Sequence, residues 1–98
     1  MIRNFKTTIK DYKGQPLTDA QGKEQMMSDL IGAQLFTAGA KAALSPDDKM
    51  RAYKLSVMMQ QTPEAVTLTT EDAALIKSIM GDNFVAGVYG QIVEVIEQ

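Results

Sequence analysis

Phe5-Lys6-Thr7-Thr8-Ile9-Lys10-Asp11-Tyr12-Lys13-Gly14-Gln15-Pro16-Leu17-Thr18-Asp19-Ala20-Gln21-Gly22 is the segment on which the fold class turns. Phe5, Thr7 and Ile9 alternate with Lys6, Thr8 and Lys10, the two-residue period of a half-buried strand. Lys13-Gly14 then reverses the chain. Gln15 to Thr18 resumes an extended segment, and Pro16 assigns it to a sheet edge or a strand start. Asp19 to Gly22 is a second turn, in which Gly22 supplies a positive φ at little cost. The opening third therefore predicts an antiparallel meander of two or three short strands.

From Ser28 the period becomes helical. Ser28 is the expected N-cap of a first helix, with Leu30, Ile31, Leu35 and Phe36 on one face and Gly39 near its end. Ser45-Pro46-Asp47-Asp48 is a sharper start: a hydroxyl for the orphan amides, a proline at the first helical position, and two acids at the positive end of the dipole. That helix is expected to carry Met50, Tyr53 and Val57 and to reach Gln61, because Pro63 forbids continuation. Ala65 to Leu68 reads as a short strand. Thr69 or Thr70 caps a third helix, with Asp72 completing a capping-box variant, Leu75, Ile76, Ile79 and Met80 as its buried stripe, and Gly81 as its stop. A last helix within Phe84 to Glu97 places Val85, Val88, Ile92 and Val95 on one face. The fold class is α+β: a small antiparallel N-terminal meander packed with three or four α-helices. No second copy of the β-rich opening is visible, so no internal repeat is expected.

The chain has 98 residues, enough for a single domain spanning 1–98 with one core. Its hydrophobic content of 45% and net charge of −2 argue against disorder. There is no cysteine and no histidine. That removes disulfides, Cys- or His-based nucleophilic catalysis and zinc sites built on those ligands, so no metal and no cofactor are expected. Asp47 with Asp48 and Glu71 with Asp72 are the adjacent acidic pairs. Both fall in first helical turns, where dipole stabilisation explains them. The two Asp-x-x-Gly turns resemble calcium loops in composition but lack the spaced acids and terminal glutamate of an EF-hand. No enzyme is expected.

A pI near 5.0 counts against nucleic acid as partner. Arg3, Lys6, Lys10 and Lys13, with Phe5 and Tyr12 among them, read as a solvated strand face. Met1 to Lys6 has no signal-peptide core, and no segment approaches the ~20 apolar residues of a membrane span, so a cytoplasmic protein is expected. What remains is protein recognition. Met58 and Met59 are an adjacent pair of adaptable side chains of which one is expected at the surface. Gly87-x-x-Gly90, flanked by Val88 and Ile92, is a small-residue seam for an internal helix or for a partner, including a second copy in a homodimer. Met58, Met59, Gly87, Val88, Gly90 and Ile92 are thus the candidate partner contacts.

The order of these signals resembles a group of small proteins encoded by tailed bacteriophages and prophages. Lys10-Asp11-Tyr12-Lys13-Gly14-Gln15-Pro16 followed by Asp19-Ala20-Gln21-Gly22-Lys23 is similar to their paired turns. Leu44-Ser45-Pro46-Asp47-Asp48-Lys49, then Val66-Thr67-Leu68-Thr69-Thr70-Glu71-Asp72 through Lys77, and Gly90-Gln91 before Val93-Glu94, extend the likeness from about residue 6 to residue 98. Met26-Met27-Ser28-Asp29 departs from the group's usual helix entry, and the alanine- and glycine-rich link from Thr37 to Ala43 is longer. The resemblance implies a setting and no catalytic residues. The expected function is a phage-encoded, non-catalytic protein-binding module that serves as a minor virion structural or assembly factor. The alternative is a host-directed modulator that binds a bacterial protein during infection. Either would act in the cytoplasm of the infected host, with virion association in the first case.

Overall fold

The computed structural model describes residues 1–40 and 42–98; Lys41, within the Thr37–Ala43 link, lies outside the described residues. Between Thr8 and Met26 the chain closes into a triangle. Three short extended segments, centred on Ile9, Leu17 and Gln25, meet pairwise at single antiparallel bridges: Lys10 with Pro16, Thr18 with Glu24, and Thr8 with Met26. At the centre the Ile9 amide donates to the Gln25 carbonyl at 2.9 Å, Leu17 to Ile9 at 2.8 Å, and Gln25 to Leu17 at 2.8 Å. Each segment gives one bond and takes one.

The corners repeat as well. Asp11 N–H donates to Gln15 O, and Asp19 N–H to Lys23 O, both at 2.8 Å. At the third corner, where the chain enters and leaves, Met27 N–H donates to Thr7 O at the same 2.8 Å. In each turn an aspartate Oδ1 accepts two amides: Asp11 from Lys13 and Gln15, Asp19 from Gln21 and Lys23. Gly14 and Gly22 adopt φ of +83° and +81°, which a side chain would resist. The expectation of no internal repeat is therefore corrected: an eight-residue repeat lies inside the opening, with Asp11 and Gly14 recurring as Asp19 and Gly22.

The alternation around Phe5 holds, with Phe5 and Ile9 buried and Lys6 and Lys10 exposed. The regular strands lie elsewhere. β1 (Ile2–Arg3) pairs antiparallel with β2 (Val66–Thr67), Ile2 opposite Thr67 and Arg3 opposite Val66. Four helices follow the triangle: α1 (Met27–Phe36), α2 (Pro46–Gln61), α3 (Thr70–Asn83) and α4 (Ala86–Ile96). The architecture is the expected α+β, with the core between the triangle and the helices. Phe5 and Ile9 meet Met27, Ile31 and Leu35 of α1, Leu55 and Met59 of α2, Ile76 and Met80 of α3, and Ile92 and Ile96 of α4.

Local chemistry explains most boundaries. The Ser45 hydroxyl accepts from the Asp48 amide at 3.1 Å, and Pro46 opens α2. Thr69 and Asp72 form a complete capping box on α3. Asp72 also takes Arg51 of α2 at 2.8 Å, which ties the two helices together. Three sequence expectations are corrected. Ser28 does not cap α1: Met26 occupies that position, the Thr7 and Phe5 carbonyls accept the Met27 and Ser28 amides, and Ser28 is buried. Gly81 lies within α3, which continues to Asn83. Val85 is the exposed N-cap of α4 and leaves the apolar face to Val88, Ile92, Val95 and Ile96.

Two polar clamps join the ends of the chain to this frame. Arg3 leaves the expected basic face: its Nε donates to Ile96 O at 2.9 Å and its Nη2 to Gln98 O at 2.6 Å, a cation at a helix C-terminus that has none of its own. Gln91 on α4 presents its amide edge-on to the backbone of Lys10. Its Oε1 accepts the Lys10 amide at 2.9 Å and its Nε2 donates to Lys10 O at 2.8 Å.

Removing the second clamp by Gln91→Ala should lower stability by about 1–2 kcal/mol, the usual range for lost hydrogen bonds. Urea denaturation with an unchanged m-value would check it. For Asp72, burial raises the carboxyl pKa, but the Thr69 amide, Arg51 and the Thr69 hydroxyl together outweigh it and hold the group below its ordinary value. The folded pKa is thus depressed, so the stabilisation is present above the unfolded value, about 3.9, and is lost as pH falls through the folded value. Asp72→Asn should lower neutral-pH stability and flatten the acid limb of a stability–pH curve. A Cβ added at Gly90 would meet nothing within 4 Å. Gly90→Ala should therefore raise monomer stability by about 0.5–1 kcal/mol through helix propensity, read from thermal unfolding.

Candidate functional site

α1 and α2 pack side by side with their contacts in opposite chain order. Gly32 lets the helices approach: a Cβ there would stand 3.6 Å from Met59 Cβ and 3.8 Å from Ser56 O. On the outer side of this seam lies a groove of about 350 Å³, lined by Ser28, Asp29, Gly32, Ala33 and Phe36 of α1 and by Ser56, Val57, Gln60 and Gln61 of α2. Phe36 is 67% exposed and Tyr53 51%, with ring centroids 6.3 Å apart and planes tilted by 50°. Met50, one turn before Tyr53, is also exposed.

Met50, Tyr53 and Val57 do share one face of α2, but Ala52, Leu55, Ser56 and Met59 face the core. Met50 and Tyr53 face solvent, and Val57 is half-buried in the groove wall. The helix carries two apolar stripes, and the more conspicuous one points outward. Phe36, expected in the core face of α1, is turned out as well. A contiguous exposed apolar strip on a small domain is the common mark of a contact surface.

The groove is graded along its length. Ser28 and Asp29, with Gln60 and Gln61, form a polar end; Ala33, Val57 and Phe36 form an apolar end beside Tyr53. Ser56 Oγ donates to Tyr53 O at 2.6 Å. Ser28 is only 5% exposed, and no buried side-chain nitrogen or oxygen among the described residues is left without a hydrogen-bond partner. No three His, Cys, Asp or Glu side chains gather to hold a cation among the described residues. The arrangement is suited to recognition by shape, one hydroxyl and one charge.

The six residues expected to meet a partner separate. Met59 and Ile92 are sealed in the core at 2% and 0% exposure, and a partner cannot reach them in the folded chain. Val88 is half-buried against the core. Met58 is half-buried and lines a second concavity with Asp47, Met50, Arg51, Lys54, Leu55 and Asp72, whose Arg51–Asp72 pair satisfies its own charges. Gly87 and Gly90 receive no packed neighbour, so the internal-helix reading of that seam is excluded. They share the outward face of α4 with Glu94. In the basic loops, Tyr12 is fully displayed, with the neighbouring Lys13 ammonium 5.7 Å from its ring centroid. Asp11 and Asp19, the calcium-like acids, are engaged by their own turns.

No helix among the described residues is long and apolar enough to cross a membrane. Comparison with known proteins adds no relative: no family model, no curated protein and no solved structure matches the chain.

Proposed function

We propose that the chain is a non-catalytic protein-binding module, encoded by a tailed phage or prophage, that acts as a minor virion structural or assembly factor. The observation that supports binding is the outward Phe36–Tyr53 pair beside the α1–α2 groove, where aromatic area is left uncovered. Aromatic side chains of this kind supply much of the energy at protein interfaces. The phage setting rests on the order of the turn and cap blocks in the sequence. Histidine and cysteine are both missing, which narrows the chemistry available to an enzyme.

A double variant, Phe36→Ala with Tyr53→Ala, should keep its helical circular dichroism because both side chains are largely exposed. Phage particles and assembly intermediates purified from producing cells should contain the wild-type chain together with a capsid or tail protein, and should lose the double variant. Recovery on a bacterial protein alone would replace this reading with the host-directed one. A chain that stays free and monomeric throughout infection would overturn the binding module itself.

A further inference from the structure

Resting on the protein-binding reading, we infer that the α1–α2 groove seats an amphipathic helix of a different protein, with a basic residue at Asp29 and aliphatic side chains against Phe36 and Tyr53.

A helix is selected by what the groove lacks. An extended peptide binds through main-chain hydrogen bonds to a free strand edge. The walls here are two helices that offer no strand edge, and polar side chains of Ser28, Asp29, Ser56, Gln60 and Gln61 line the groove. An extended occupant would bury amides without partners, whereas a helix satisfies its own. The floor suits close approach, since Gly32, Ala33, Ser28 and Ser56 are all small. From Ser28 to Phe36 the groove follows α1 for about 12 Å at 1.5 Å per residue, room for two turns of a guest with anchors at i, i+4 and i+7.

Charge and hydrogen bonding fix the character of that guest. Asp29 is the one charged residue among those lining the groove, so the polar end favours lysine or arginine. Ser28 lines the same end with its hydroxyl-bearing side chain. A guest with a serine, threonine or amide side chain there would find hydrogen-bonding groups in Ser28, Gln60 and Gln61. A second copy of this chain is a poor match: the outward face of its α4 would bring Glu94 toward Asp29.

The test uses the full chain as bait against two displayed peptide libraries. One is helix-forming, about four turns long and randomised along one face; the other is unconstrained in conformation. Circular dichroism first establishes that Ala33→Arg, which fills the groove from an exposed position, and Phe36→Ala remain folded. The expected result is enrichment of helical peptides with aliphatic residues at i and i+4 and a basic residue at one end. Their affinity should fall by at least about tenfold for both variants, and Asp29→Lys should switch the preference to acidic peptides. Enriched peptides that bind Ala33→Arg and Phe36→Ala as well as wild type would overturn the groove assignment while leaving protein binding standing. Enrichment from the unconstrained library alone, or concentration-dependent dimerisation abolished by Ala33→Arg, would overturn the helical foreign guest. No enrichment from either library would remove the protein-binding reading along with this one.

Discussion

The rest of the structure depends on the central ring of three backbone hydrogen bonds between Ile9, Leu17 and Gln25. A segment of extended chain this short cannot form a stable sheet alone, and a free strand edge invites unwanted pairing. Closing three segments on one another answers both problems, because each central residue gives and receives one bond. Closure also brings chain entry and exit to one corner. Thr7 and Phe5 then accept the Met27 and Ser28 amides, so that α1 starts with two of its first amides already satisfied. That is why Ser28 is free of capping duty and can sit buried beside the groove. Gln91 extends the same frame to α4 by pairing with the backbone of Lys10 as another strand would.

Features set by a few adjacent residues were legible in the sequence. Ser45-Pro46, the Thr69–Asp72 box, Pro63 after α2 and both Asp-x-x-Gly turns each carry their cause within four residues. The triangle was not legible, because three segments joined by single bridges show little of the alternation that marks a sheet. Its eight-residue period shows in the paired Asp-x-x-Gly turns, but the closure becomes visible only when Ile9, Leu17 and Gln25 are placed together. Arg3 was assigned to a solvated basic face for a related reason: its acceptors, Ile96 and Gln98, lie at the opposite end of the chain.

The orientation of α2 shows a different limit. Hydrophobic periodicity selects Met50, Tyr53 and Val57, yet the core accepts Ala52, Leu55, Ser56 and Met59. α1 approaches this inward face at Gly32, whose missing side chain leaves room for Met59 and Ser56. The apolar stripe displaced by this packing becomes the aromatic side of the groove. Phe36, which shares a helical face with Leu30, Ile31 and Leu35 in the sequence, turns outward beside that stripe. The α4 glycines were equally ambiguous, since a small-residue pair looks the same whether a neighbour fills the space or solvent does.

These constraints also bear on how the groove would bind. Met1 and Arg3 hold the N-terminal strand to Leu68 and to the end of α4, and the Arg51–Asp72 pair holds α2 to the start of α3. α2 is thus fixed from behind, while α1 is fixed at its first turn by the triangle. The groove walls belong to these two supported helices and not to a loop. A guest would meet a surface already in its bound shape, so less ordering entropy opposes association than for a site assembled on binding. Loosening the Thr7–Met27 corner would then weaken recognition without touching a groove side chain, because α1 would lose the anchor that sets its angle to α2.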